Sequence, residues 1–207
     1  MKYLAVDLGN VICKVDFTNF KRQLSQKFNV SMDDAEYFLN RTQRFHDSGL
    51  TCIADELRDM FNIKSSVLLA ELIEEWNLTI QPNATMVAML KNMISSKDRE
   101  PVKVALLSNI GPEHAGIMSL VLTREVFDNS TRFFSCEVGA RKPSYVYYKT
   151  FLEMHPEFRG CVYVDDRIEN VEVGTKMGLA GVHFVLDQFC SDKDLADGVE
   201  KIKKLVY

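Results

Sequence analysis

No two cysteines of this 207-residue sequence stand at metal-ligand spacing, no basic block rises above the background, and no apolar run is long enough for a bilayer. Each absence removes a class of function. The five cysteines, at 13, 52, 136, 161 and 190, are scattered, odd in number and without a C-x-x-C pair. That argues against a zinc site or a disulfide framework and for reduced thiols in an intracellular compartment. Without a run of about 18 apolar residues no membrane span is expected. The chain opens directly on a strand-like run, lacking a basic n-region and an apolar h-region, so no signal peptide is expected and a cytoplasmic protein is. A formal charge of -4 and a pI near 5.6 give no electrostatic case for nucleic acid or an anionic membrane, which leaves small molecules as the default partner. Internal repeats, low-complexity tracts and flexible linkers are also missing.

What is present is an ordinary soluble composition, 46% hydrophobic and 26% charged, in a chain long enough for one large domain or one domain with an insertion. Tyr3 to Val6 is a short apolar run suited to a strand buried on both faces, and it ends in Asp7 followed by the chain-reversing Gly9-Asn10. Cys13 to Phe17 continues extended. From Thr18 to Trp76 the apolar residues recur at helical spacing, with Ser31 as an N-cap and no strand-like run between. From Pro82 the rhythm changes. Helices are expected over 83–93, 112–122, 144–154 and 168–177, alternating with strands over 102–107, 133–135, 162–164 and 180–186 before a charged terminal helix. Alternation of this kind predicts right-handed crossovers and an α/β, doubly wound (Rossmann-like) parallel sheet. The expected division is a core of residues 1–15 and 81–207 and a helical cap of residues 16–80.

Three separated strands end in polar groups suited to one site: Asp7, Ser108-Asn109 and Asp165-Asp166. In a doubly wound sheet those carboxyl ends share an edge, where ligands bind. A fourth segment, Arg141-Lys142-Pro143-Ser144, puts a lysine just before a helix start, with Pro143 suited to the first turn. The set supplies what phosphoryl transfer needs. A carboxylate can attack phosphorus, carboxylates can hold a divalent cation, and a hydroxyl, an amide and an ammonium can hold phosphoryl oxygens. Adjacent acids repel unless compensated, and an oxygen-rich site suits Mg²⁺.

In order and spacing, Asp7-Leu8-Gly9-Asn10-Val11, Leu107-Ser108-Asn109, Gly139-Ala140-Arg141-Lys142-Pro143 and Val164-Asp165-Asp166-Arg167-Ile168-Glu169-Asn170 resemble the four motifs of the haloacid dehalogenase (HAD) superfamily of hydrolases. They look most like subfamily IA and its α-D-glucose 1-phosphate phosphatase branch, and the helical insert is similar to a C1-type cap. The resemblance implies a Mg²⁺-dependent phosphatase acting on a small phosphorylated metabolite, with sugar phosphates among the candidates. It makes Asp7 the nucleophile and a metal ligand, and has Ser108 and Asn109 bind phosphoryl oxygens. Lys142 would neutralise phosphate and orient Asp7; Asp166 would complete the metal site with Asp165 beside it and the Gly9 carbonyl available; Asn170 would take an outer position.

One position departs from the usual phosphatase motif. Where a second Asp would shuttle a proton stands Gly9, and glycine cannot do so. Asp16 and Asn10 are candidates for partial replacement. In the cap, Arg44-Phe45-His46-Asp47-Ser48-Gly49 mixes polar and aromatic groups beside an expected turn and is the candidate substrate-selecting segment, with His46 as its contact. Trp76 is expected to pack cap against core, and His114, His155 and His183 to be structural. Two other readings stand beside hydrolysis of a phosphomonoester: a weakly active or inactive HAD-fold protein that binds a phosphorylated ligand or a partner, which Gly9 motivates, and a 2-haloacid dehalogenase, which the paired acids disfavour. Nothing in the sequence sets the oligomeric state.

Overall fold

The computed structural model describes residues 1–188 and 191–207, with Gln188 described by its backbone alone. The chain runs β1 (Lys2–Val6), β2 (Cys13–Val15), α1 (Thr18–Phe28), α2 (Met32–His46), α3 (Ile53–Phe61), α4 (Ser66–Asn77), β3 (Ile80–Pro82), α5 (Ala84–Ile94), β4 (Val102–Ser108), α6 (Pro112–Val121), α7 (Arg124–Asp128), β5 (Ser130–Phe134), α8 (Ser135–Val138), α9 (Tyr145–Met154), β6 (Val162–Asp165), α10 (Ile168–Lys176), β7 (Ala180–His183) and α11 (Asp192–Val206).

Five strands form one parallel sheet in the order β5-β4-β1-β6-β7. Because β1 is central, its alternating side chains are buried both ways: Leu4 and Val6 join the cluster under α5, α6 and α11, while Ala5 joins the one under α9 with Tyr148, Phe151 and Tyr163. The expected α/β, Rossmann-like architecture is the one observed. Register carries the consequence for function. Val6 pairs with Leu106 of β4 and with Val164 of β6, so Asp7, Ser108 and Asp165 leave the sheet at nearly the same height.

Between β2 and β3 the chain makes four helices with a hydrophobic cluster of their own, built on Phe20, Leu24, Phe38, Leu57, Leu72 and Trp76. Each helix is bounded by local chemistry. Ser31 and Asp34 close a reciprocal capping box on α2, Ser65 caps α4, and Asn29 and Asn62 end α1 and α3 in left-handed conformations that asparagine tolerates. The antiparallel ribbon β2–β3, with Lys14 opposite Gln81, joins this unit to the sheet. β3 did not stand out in the sequence, because three residues ending in proline carry no alternation. β5 begins at Ser130, earlier than expected, and β7 stops at His183.

Cys13, Cys52, Cys136 and Cys161 are free thiols, and Cys190 lies outside the described residues. Among the described residues no helix is long and apolar enough to cross a membrane.

Candidate active site

A cleft of about 230 Å³ opens over the carboxyl edge of the sheet, with Asp7, Ser108, Lys142 and Asp166 on its core side and Gln43, Asp47 and Trp76 on its cap side. Lys142 organises the core side. It is 4% exposed, and its ammonium lies 2.9 Å from Asp7 Oδ1 and 2.6 Å from Asp165 Oδ2 while donating to the Leu107 carbonyl at 2.7 Å. Burial alone would pull this lysine down; the charges of Asp165 and Asp7 more than reverse that and hold it above the usual lysine range. Its backbone is clamped as well. Asn109 Nδ2 donates to the Lys142 carbonyl at 2.9 Å and Asn109 Oδ1 accepts the Lys142 N–H at 2.8 Å.

The two adjacent acids at the end of β6 have different environments. Asp165 is fully buried, and both its oxygens are taken: Oδ2 by Lys142 and by Tyr163 Oη at 2.5 Å, Oδ1 by the Arg167 N–H at 2.9 Å and Asn170 Nδ2 at 2.8 Å. Against the upward pull of burial, Lys142 and these donors hold its carboxyl below the usual range. Asp166 faces the cleft and accepts from Asn10 Nδ2 at 3.2 Å; burial and the neighbouring Asp165 push its carboxyl up. Asp7 is 7% exposed and is pushed up to about 7 by burial, with Lys142 opposing and the charges of Asp165 and Asp166 adding to the rise. Its Oδ1 accepts the Leu8 N–H at 2.7 Å.

Carboxylate oxygens of Asp7, Asp165 and Asp166 lie within 4.8 Å of one another, the spacing of a divalent-cation site. The donors fit Mg²⁺, but unequally: Asp7 and Asp166 face the cleft, whereas the oxygens of Asp165 already serve four donors. A further fit is Asn170, whose Oδ1 is buried without a hydrogen-bond partner and belongs to a residue lining the cleft. Such an acceptor is costly unless a cation or its water shell satisfies it.

On the cap side, the turn after α2 is seated on the core. Asp47 Oδ2 accepts from Arg141 Nη2 at 2.8 Å. His46 Nε2 is 2.7 Å from Glu113 Oε2, and Glu113 Oε1 accepts the Ile53 N–H at 2.8 Å, so a core carboxylate caps the start of a cap helix. The His46 ring lies against the backbone of Gly111, where a Cβ would stand 1.7 Å from Cε1. Burial disfavours the imidazolium, but the carboxylates of Asp47 and Glu113 beside the ring outweigh it and raise His46 above its ordinary value. Glu113 in turn is held low by His46 despite its own burial. Trp76 stacks on His114 with centroids 4.9 Å apart, and His114 Nε2 donates to the Trp76 carbonyl at 2.9 Å; burial pulls this imidazole down to about 4.

The structure thus brings Asp7, Gly9, Ser108, Asn109, Lys142, Asp166 and Asn170 to one cleft and sets Asp165 behind it. His46, expected to touch substrate, is fully buried at the cap–core junction and does not line the cleft; its neighbour Asp47 does. Asp16 is exposed and accepts the Thr18 N–H, away from the cleft, and Asn10 is occupied by Asp166 and by the Val15 N–H. Lys142 does not precede a helix directly, since Ser144 caps α9 and the helix begins at Tyr145. Glu113, Arg141 and Asp47 were not singled out as a set. Their convergence is set by packing between remote segments, and no spacing rule exposes it.

With this geometry in hand, comparison with known proteins defines the class of fold. No family model and no curated protein matches the sequence. Solved structures do match, and the fold is that of HAD family enzymes. The HAD family enzyme BT-2542 from Bacteroides thetaiotaomicron superposes with a TM-score of 0.77 at 20% identity, covering 95% of this chain and 98% of that one. The same enzyme with magnesium and inorganic phosphate gives 0.72 at 20% identity over 92% and 98%. A predicted HAD-like family hydrolase from Porphyromonas gingivalis gives 0.73 at 16% identity over 96% of both chains, and the L-2-haloacid dehalogenase from Xanthobacter autotrophicus 0.58 at 14% over 100% and 84%.

Proposed function

We propose that this protein is a Mg²⁺-dependent phosphomonoester hydrolase acting on a small phosphorylated metabolite through an aspartyl phosphate on Asp7. The observation that carries the reading is Lys142, a buried cation locked between the nucleophile and Asp165 at the mouth of a cleft whose other carboxylate, Asp166, is free of strong donors. A 2-haloacid substrate leaves no use for that second acid. The fold is shared with an L-2-haloacid dehalogenase and with the HAD family enzyme BT-2542, and the magnesium and inorganic phosphate bound by the latter support the phosphatase choice.

Asp7 attacks phosphorus with Oδ2, Oδ1 being held by the Leu8 N–H and Lys142. Lys142 neutralises charge on the phosphoryl oxygens and fixes the rotamer of Asp7. Ser108 supplies a hydroxyl, and Asn109, whose side chain is committed to the Lys142 backbone, offers its main chain rather than its amide. Asp7, Asp166 and the Gly9 carbonyl would hold Mg²⁺, with Asn170 Oδ1 available to its water shell; the ion would offset charge on attacker and substrate. Asp165 acts on Lys142 and not on the metal. The closed cap excludes water during transfer.

The test is hydrolysis of a panel of phosphorylated metabolites and aryl phosphates with and without Mg²⁺, for the parent protein and Asp7→Asn. Metal-dependent release of phosphate that disappears in the variant is expected. Undiminished turnover by Asp7→Asn would remove the assigned nucleophile, and absence of turnover over the whole panel with retained ligand binding would favour a binding protein.

A further inference from the structure

Phosphoryl transfer to Asp7 leaves an alkoxide that must gain a proton, and position 9 has no side chain to give one. The cleft narrows the choice. Lys142 is bound on three sides, by Asp7, Asp165 and the Leu107 carbonyl. The Nε2 hydrogen of His114 is spent on the Trp76 carbonyl, and its ring is stacked flat on the indole, with 7° between the planes. Asp166 faces the metal position, and Arg141 and Arg167 do not exchange protons. Asp47 remains. It lines the same cleft from the cap side, its Oδ2 is fixed by Arg141, and its Oδ1 is the carboxylate oxygen 3.5 Å from His46 Nδ1, a buried nitrogen that makes no hydrogen bond. Behind it, His46 Nε2 is anchored on Glu113.

Resting on the phosphatase reading, we propose that Asp47, delivered by the cap, exchanges the leaving-group proton in place of the carboxylate missing at position 9, with His46 behind it as the proton store. In the first half-reaction the P–O bond to the leaving group breaks as Asp7 Oδ2 bonds to phosphorus. The departing oxygen takes a proton from Asp47, which takes one from His46 Nδ1. In the second, water attacks phosphorus and the P–O bond to Asp7 breaks. The water proton returns through Asp47 to His46, and phosphate leaves with Asp7 restored. Glu113 and Gly111 are positioning residues here, since one orients the imidazole and the other makes room for it. Chemistry is thereby tied to closure: with the cap lifted the site keeps its nucleophile but loses its acid.

The experiment compares an ester with a good leaving group, 4-nitrophenyl phosphate, and one with a poor leaving group, glycerol 2-phosphate, both with Mg²⁺. In Asp47→Asn, steady-state turnover of both esters is expected to fall, since return of the water proton is common to them, but in the single-turnover first half-reaction release of glycerol is expected to slow by roughly 10²-fold or more while release of 4-nitrophenol changes by less than about 3-fold, because only the alkoxide needs the acid. Gly9→Asp in the Asp47→Asn background is expected to recover part of the alkyl rate; a Cβ at Gly9 meets only Val15 Cγ2, at 3.4 Å. Equal losses in the rate of leaving-group release from both esters, or no loss for the alkyl ester, would overturn the assignment while leaving the phosphatase reading standing. Failure of that reading looks different: the parent protein hydrolyses neither ester, or Asp7→Asn hydrolyses both undiminished.

Discussion

The two walls of the cleft are built on different terms. On the core wall, the Lys142 ammonium and the Asp165 carboxylate are buried with their hydrogen-bond partners in place, so their geometry is fixed before any ligand arrives. On the cap wall, Asp47 is partly exposed, and it is held through the pairs His46 with Glu113 and Asp47 with Arg141, each joining the helical insert to the core. For the proposed hydrolase this would divide the duties: the sheet edge would hold the nucleophile fixed, and the less deeply buried contacts of the cap would admit the substrate.

The largest expected effect breaks the core wall chemically. Asp7→Asn keeps shape but removes the attacking oxygen, and turnover should fall by roughly 10³-fold or more. The neighbouring acids then sharpen the contrast. Asp165→Ala leaves the buried Lys142 ammonium with Asp7 as its one carboxylate partner, and chemical denaturation should show a loss of about 3–5 kcal/mol. Asp166→Asn relieves repulsion from Asp165 and should leave the unfolding midpoint nearly unchanged while abolishing the thermal shift given by Mg²⁺, because a ligand that binds only the folded state raises its stability. Similar stability losses in both variants would refute the division of roles.

Smaller effects belong to the cap. Gly111→Ala forces a methyl into the His46 ring, and the overpacking should cost about 1–3 kcal/mol and lower turnover, with the near-ultraviolet signal of the buried aromatic core retained. The least effect is the pH dependence of His46. Its folded value is raised, so the stability it contributes is complete below the unfolded value of about 6.5 and is lost as pH rises through the higher folded value. Between about pH 6 and about pH 9 the parent protein should lose more stability than His46→Gln, read as the difference of their melting temperatures. A parallel decline of the two would exclude an imidazolium at this junction.

How much of this could be read from the chain follows from where each residue stands. Asp7, Ser108 and Asp165 stand at the ends of short apolar runs expected as strands buried on both faces, and the alternation of such runs with helices was enough to place them on one edge. The parallel sheet followed from strands alternating with helices. The helical insert was legible because its apolar residues keep a single period across more than one capped helix. What escaped was decided by tertiary contact. Asp165 and Asp166 are identical in sequence and adjacent, yet Tyr163, Asn170 and Lys142 converge on one and leave the other. His46 has the composition of a ligand contact, but the missing Cβ of Gly111, a position far along the chain, provides the notch that draws its ring inward. β3 is too short to show alternation and exists because β2 offers it an edge.

Glu113 lends its carboxylate to the first amide of a helix that it does not belong to. Separation of the helical insert from the core would strip the Ile53 amide of that acceptor and expose it to solvent. Hydrogen exchange at this one position would therefore gauge the open population, and a ligand that bridges both walls should slow it.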